Sequence, residues 1–304
     1  ICVEMHEKEK VYVPELIFGS LLTSSNYTEN EKKHVGGKNG YGAKLTNIFS
    51  KIFTIETGDN INKKNYKQTF YDNMTRRDEP IITPYKGKGY TQITYTPDYS
   101  RFNSGLTEDM IKIIKKRTYD MAACTDSKVS VFLNDEKLEY KNFEKYTDLY
   151  IGSKVETPRA YDKPNQRWEI VACLNPNLAF EQISFVNGIY TYKGGKHVDY
   201  IMNQISRKLS AIILKKKKIN VKPMFIRENI MVFIKSVIDN PSFNSQTKEC
   251  LMTNATSFGT KCEISDKFTD NLSKCGIIER ALELSSIKDT KDMKKLDGKK
   301  QNRL

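Results

Sequence analysis

The chain has 304 residues, 38% hydrophobic and 29% charged, with 14 Phe and 17 Tyr; this suits about two compact domains and excludes a generally disordered chain. Its 50 Lys and Arg stand against 37 Asp and Glu, and the resulting +13 attracts polyanions such as nucleic acid, nucleotides or acidic membranes, although a merely lysine-rich soluble surface would give the same balance. Cys2, Cys124, Cys173, Cys250, Cys262 and Cys275 form no C-x-x-C pair, which argues against a zinc or dithiol site and for reduced thiols in an intracellular protein, and no apolar run approaches the about 20 residues of a membrane span. Ile1-Cys2-Val3 leads straight into charged residues, unlike a signal peptide, and the absence of an initial Met suggests a processed chain or a fragment.

Taken in chain order, residues 11–26 read as a helix, with Pro14 early and Leu16, Ile17, Leu21 and Leu22 on one face. A polar loop follows, then Gly36-Gly37-Lys38-Asn39-Gly40-Tyr41-Gly42, whose four glycines exclude a helix interior. The helical pattern resumes from Ala43 to Ser50. Phe53 and Ile55, then Thr91, Ile93 and Tyr95, then Val129, Val131 and Leu133 alternate as strands do, with a helix through Met110, Ile113, Ile114 and Met121 among them and a turn at Asn134-Asp135. A second unit begins near Asn142. In it, strands over residues 167–174 and 180–186 are joined at Asn175-Pro176-Asn177. Val198, Ile201, Ile205, Leu209 and Ile212 make a helical stripe that ends in Lys215, Lys216, Lys217 and Lys218. Residues 230–237 read as a buried strand broken by Asp239-Asn240-Pro241, and the charged tail from Lys288 reads as linker or frayed helix.

A glycine loop opening a helix suits phosphates, because bare N–H groups can approach the oxygens and the helix N-terminus adds positive potential; Lys38 and Lys44 add charge. It is not a Walker A loop, since Gly42-Ala43-Lys44-Leu45 displaces the lysine and lacks the hydroxyl. It is not a dinucleotide fingerprint either, since Leu45 stands where the last glycine belongs. On the loop alone, a turn that holds no ligand is as good a reading.

The longer stretches go further. Val11-Tyr12-Val13-Pro14-Glu15-Leu16-Ile17-Phe18-Gly19, Leu21-Leu22-Thr23-Ser24-Ser25-Asn26-Tyr27 and Gly36 to Lys44 closely resemble the ATPase domain of eukaryotic type IIA DNA topoisomerases, a GHKL ATPase. Phe180-Glu181-Gln182-Ile183-Ser184-Phe185-Val186-Asn187, Lys193-Gly194-Gly195-Lys196-His197-Val198-Asp199-Tyr200 and Asn240-Pro241-Ser242-Phe243-Asn244-Ser245-Gln246-Thr247-Lys248-Glu249 resemble that family's transducer domain. The resemblance runs from Ile1 to about Glu283, in family order.

It implies an α+β chain: a partial GHKL (Bergerat) α/β sandwich over 1–142, a transducer domain of ribosomal protein S5 domain 2-like fold over 143–285 with a left-handed βαβ crossover, and a linker toward the cleavage core over 286–304. It implies ATP and Mg2+ as cofactors, double-stranded DNA as partner, a homodimer formed through the ATPase gate, no membrane, and a nuclear location. The implied activity is ATP-driven passage of one duplex through a transient break in another. By resemblance, Ser24, Ser25 and Asn26 line the sugar and phosphate side of ATP; Gly37, Lys38, Asn39, Gly40, Tyr41, Gly42, Ala43 and Lys44 form the phosphate loop. Gln246, Thr247 and Lys248 form a switch loop whose lysine, the expected catalytic residue, reaches the γ-phosphate; Lys215, Lys216, Lys217 and Lys218 face DNA phosphates. Taken alone, those lysines read as a solvated helix end, and residues 246–248 as a solvated loop.

Lys38 departs from the family's usual Arg and loses its bidentate fork. The family's general-base Glu and magnesium-holding Asn lie upstream of the residues matched here and its cleavage Tyr lies downstream, so no metal ligand is expected in this chain, and the chain by itself is expected to lack ATP turnover. His6, His34 and His197 read as no metal set. Two other readings stand beside this one: a mismatch-repair-like or chaperone-like GHKL ATPase, and a non-hydrolysing DNA clamp.

Overall fold

The computed structural model describes residues 1–24, 32–37, 39–140 and 142–298, with side chains through 287. The chain forms two compact units, Ile1–Glu31 with Gly37–Ile113, and Lys32–Gly36 with Ile114–Leu304. The division falls inside a helix, ahead of the Asn142 boundary read from the sequence.

The first unit opens with α1 (Val13–Gly19), shorter than the helix expected over 11–26. Ser20 is extended and Leu22 has φ 61°, so the backbone leaves the helix early. Gly19 ends α1 where no side chain fits, because a Cβ there would lie 2.8 Å from the Phe70 ring. After α2 (Tyr41–Ile48) come β1 (Ser50–Asp59), β2 (Lys64–Tyr71), β3 (Arg76–Arg77), β4 (Ile81–Pro84) and β5 (Tyr90–Pro97). The antiparallel sheet runs β3-β2-β1-β5, and β4 also pairs with β2. Its register sets Phe53 opposite Phe70 and Tyr95, and Phe18, Phe53, Ile55 and Phe70 form the core.

The helix through Met110 and Met121 is α3 (Glu108–Cys124), which crosses from one unit to the other. The alternation over 129–133 yields only β6 (Phe132–Leu133). Asn134 and Asp135, both at positive φ, turn it onto β7 (Glu136–Lys137).

In the second unit follow α4 (Phe143–Tyr146), α5 (Asp148–Ile151), β8 (Arg159–Asn165), β9 (Trp168–Leu174), β10 (Glu181–Val186), β11 (Ile189–Tyr190), α6 (Lys196–Lys217), α7 (Pro223–Arg227), β12 (Ile230–Ser236), α8 (Asp266–Leu272) and α9 (Ile277–Gly298). The sheet order is β11-β10-β12-β9-β8. Thus β9 and β10, joined by the Asn175-Pro176-Asn177 turn, are not hydrogen-bonded to each other. β12 lies between them, parallel to β10 and antiparallel to β9, with α6 in the β10-to-β12 crossover. Both central strands are buried on both faces. Trp168, Ile170, Ala172, Ile230, Val232 and Ile234 pack with the α6 stripe Val198, Ile201, Met202, Ile205, Leu209 and Ile213, while Val171, Cys173, Met231 and Phe233 pack with Ala123 of α3 and Phe143, Tyr146 and Ile151. The sheet is therefore sandwiched between helical layers. The tail read as linker or frayed helix carries helical backbone to Gly298.

Candidate functional site

Of the candidate residues, Ser25, Asn26 and Lys38 lie outside the described residues. The rest fall into three groups, one in the first unit and two in the second.

In the first unit, the Thr23 hydroxyl lies 3.1 Å from the Leu16 carbonyl and 2.9 Å from that of Ser20, tying the segment after α1 back onto the helix. This brings Thr23 and Ser24 alongside α2. Gly40 caps α2 in the left-handed region (φ 67°, ψ 18°), and having no side chain it offers none to the first N–H groups of the helix. A Cβ on Gly40 would lie 3.2 Å from Ser24 Cβ and 3.4 Å from Lys44 Nζ, so Ser24, Gly40 and Lys44 come together. Among the described residues, nothing lies within 4 Å of where a Cβ of Gly37 or Gly42 would stand, so packing does not require glycine at either position. Gly42, Ala43 and Lys44 lie within the helix, so the loop is shorter than the glycine pattern suggests; Tyr41 is half-buried and Asn39 lies just before the cap.

Lys44 is the most perturbed member of the group. Its side chain is buried, and the ammonium donates to Thr23 Oγ1 at 2.7 Å and to the Thr23 carbonyl at 3.4 Å. Among the described residues no carboxylate pairs with it, and burial alone pulls its pKa below the ordinary lysine value. Among the described residues, this buried cation meets only the neutral oxygens of Thr23, beside a helix N-terminus, an arrangement short of negative charge.

In the second unit, Gln246, Thr247 and Lys248 lie on the loop after β12. The loop is closed by its own polar atoms. Asn244 N–H donates to the Cys250 carbonyl, Cys250 N–H to Asn244 Oδ1, and Lys248 N–H to the Ser245 carbonyl, with Lys248 left-handed at φ 60°. Thr247 Oγ1 donates to Glu249 Oε1 at 2.9 Å, and Lys193 Nζ meets Glu249 Oε2 at 2.6 Å; this hydrogen bond and charge hold the Glu249 carboxyl below its ordinary pKa. The next residue but one, Leu251, is pressed against the start of α6: a Cβ on Gly195 would lie 2.4 Å from the Leu251 carbonyl oxygen, and Leu251 N–H donates to the Gly194 carbonyl. The loop is thereby fixed to the N-terminus of α6. Lys248 is half-buried, and burial lowers its pKa as it does for Lys44.

At the other end of α6, Lys215, Lys216 and Lys217 fill the last turn and Lys218 is the left-handed C-cap; all four are exposed. Cations there also complement the helix dipole. His197 is a core residue: its Nε2 lies 3.2 Å from Thr191 Oγ1, and complete burial pushes its pKa down to about 3, so it is neutral. Among the described residues no helix is long and apolar enough to cross a membrane.

Sequence reading did not single out Thr23, which holds Lys44, or Lys193 and Glu249, which tie down the loop of Thr247 and Lys248. For Thr23 the only available signal was a hydroxyl after a helix end. Lys193 and Glu249 flank Gly194-Gly195 and Gln246-Thr247-Lys248, but their pairing spans residues far apart in sequence and leaves no local trace.

The family model described as DNA gyrase B matches residues 128–300. The ATPase region of Saccharomyces cerevisiae topoisomerase II superposes with a TM-score of 0.87 at 42% identity, covering 94% of this chain and 74% of that one. The chain belongs to the type II DNA topoisomerase family. The ATPase and transducer domains of DNA topoisomerase II from Balamuthia mandrillaris superpose with a TM-score of 0.88 at 41% identity, over 95% of this chain and 75% of that one. The DNA topoisomerase 2 of Arabidopsis thaliana is 46% identical over 99% of this chain, and that of Drosophila melanogaster 44% identical over 100%. This topoisomerase chain spans about a fifth of the length of either curated relative, 21% in each case.

Proposed function

We propose that this chain is the ATP-binding and transducer region of an ATP-dependent type II DNA topoisomerase. The observation that carries the reading is Lys44, a buried ammonium with no carboxylate partner among the described residues, beside the start of α2, where the Gly40 cap has no side chain, and next to Ser24. ATP phosphates would supply the missing negative charge, and their approach would explain glycine at positions 37 and 42, where no described neighbour lies close enough to require it. Ser24, with Ser25 and Asn26, would face the sugar and phosphates; Gly37, Lys38, Asn39, Gly40, Tyr41, Gly42, Ala43 and Lys44 would hold the phosphates. Gln246, Thr247 and Lys248 would form the switch loop, residues 1–142 the GHKL domain, 143–285 the transducer and 286–304 the linker beyond it.

Mg2+ needs oxygen ligands, whereas the described loop presents N–H groups and an ammonium, so these residues do not fit as the holder of the metal. Among the described residues no cluster of three His, Cys, Asp or Glu offers an alternative. The steps that belong to this chain are binding and orienting the nucleotide and carrying its state to the second unit.

The complete enzyme would act on double-stranded DNA in the nucleus as a homodimer. ATP would close the gate, because contacts to the γ-phosphate that form only in the closed dimer shift the equilibrium toward it. On supercoiled plasmid, the complete protein should relax DNA only with ATP and only in even-numbered changes of linking number, as passage of an intact duplex requires. Relaxation without nucleotide, or in odd steps, contradicts the reading.

The exposed Lys215, Lys216, Lys217 and Lys218 would meet DNA phosphates without reading sequence. Changing all four to Ala should weaken binding equally on unrelated duplexes and flatten the log–log salt dependence by about 0.9 for each phosphate that is no longer neutralised. An unchanged slope leaves them a solvated helix end.

A further inference from the structure

The segment Lys32–Gly36 belongs to the second unit, although Ile1–Glu31 before it and Gly37–Ile113 after it belong to the first. Its attachment is specific. Lys33 N–H donates to Asn240 Oδ1 at 3.0 Å, and Asn240 N–H returns a bond to the Lys33 carbonyl at 3.0 Å. His34 Nε2–H donates to Asp239 Oδ1 at 2.8 Å. Asn187, in the turn from β10 to β11, reaches the Val35 carbonyl at 3.4 Å. Gly36 lies where a Cβ would be 2.1 Å from Ile189 Cδ1.

The receiving surface is itself rigid. Asp239 N–H donates to the Phe258 carbonyl, and its carboxylate is held by Arg167, which also donates to the carbonyls of Val237 at 2.8 Å and Gly259 at 3.0 Å. Burial pushes the Asp239 carboxyl up, but Arg167 and His34 outweigh it and keep the group ionised. Asn240 has φ 42°, which aims both its amide side chain and its N–H at the segment.

We propose that Lys32–Gly36 is a strap that fastens the entrance of the glycine loop to the second unit, with Asn240 and His34 as its positioning residues. This rests on reading the glycine loop as the nucleotide site. Gly37 follows the strap directly, so the strap fixes where the loop begins. A loop whose leading residues are already held loses less conformational freedom when nucleotide binds. The strap holds the residues that lead into the loop, and it acts whether or not a γ-phosphate is present.

The test uses the complete protein and the non-hydrolysable ATP analogue with an imido group between the β- and γ-phosphates, with ADP in parallel. Asn240→Gly keeps the left-handed backbone but removes the Oδ1 acceptor; with His34→Ala it should weaken both ligands by about tenfold, the effect of losing two hydrogen bonds. Asn240→Asp alone keeps the acceptor and should bind within about twofold of wild type. A thermal melt within a few degrees of wild type would establish that the double variant is folded. Equal weakening of ADP and analogue separates the strap from a γ-phosphate contact. If wild type binds the analogue and the double variant binds it as well or better, the strap proposal is overturned. If wild type binds neither ligand, the nucleotide reading fails instead.

Discussion

Lys248→Ala in the complete enzyme should cut ATP turnover by about two to three orders of magnitude, the effect of removing one donor from developing charge in a water-poor site. ADP affinity should remain near wild type. The expectation follows from the state of the side chain. Lys248 is half-buried at a left-handed backbone position, its pKa lowered by burial, on a loop that closes on itself through Asn244, Ser245 and Cys250. A flexible surface lysine would be worth almost nothing in such a substitution. The backbone of this one is held by the loop's own hydrogen bonds, so if Lys248 meets the γ-phosphate, the ordering cost falls on its side chain alone. The loop is also pressed onto Gly195 at the start of α6, whose far end carries the exposed lysines. At about 1.5 Å per residue, that 22-residue helix spans about 33 Å. Losing Lys248 should therefore separate nucleotide binding from the response to DNA as well as slow the chemistry: nucleotide binds, but DNA no longer stimulates turnover.

Lys44→Met should have effects of opposite sign on binding and on stability. The ammonium would lose a charge-assisted bond to phosphate, about 1.5–3 kcal/mol, or about 10- to 150-fold in affinity for ATP and ADP alike. The free protein should nevertheless melt no lower than wild type. The buried charge has no carboxylate partner among the described residues, and a methionine of similar length fills the space without that desolvation cost. The pH dependence gives an independent check. Lys44 has a lowered pKa when folded, so between that value and the ordinary lysine value the unfolded chain binds more protons, and wild-type stability should rise with pH through that window. The Met variant should lack this rise. A melt several degrees below wild type, with nucleotide affinity retained, would make Lys44 a structural residue.

The fold was legible where the hydrophobic pattern is local. The α6 stripe, the α3 periodicity and the buried run of β12 stand in the sequence nearly at their observed limits. Three features were not, each for a physical reason. β2 hides because Gln68 takes a core position between Tyr66 and Phe70, satisfied there by Tyr66, by Glu15 at 3.2 Å and by the Asp78 carbonyl. β8 hides because it is a polar edge strand containing Pro164, whose missing N–H is tolerated only at an edge. The insertion of β12 between β9 and β10 is a long-range choice that their connecting turn cannot report.

At the site, the glycine loop and the loop of Gln246, Thr247 and Lys248 were legible through their resemblance to a family. Composition and spacing alone left the first open and favoured a solvated loop for the second. What holds them was not legible. Thr23 against Lys44, Lys193 against Glu249 and the fastening of Lys32–Gly36 all depend on pairings that appear only once the chain is folded.

Whether Lys248 acts on the bound nucleotide is decided by the ratio of affinities for the imido analogue and for ADP, taken by equilibrium titration on the complete wild-type protein and on Lys248→Ala. Wild type should prefer the analogue, and the variant should lose that preference while binding ADP as before. If both proteins show the same ratio, Lys248 does not meet the γ-phosphate.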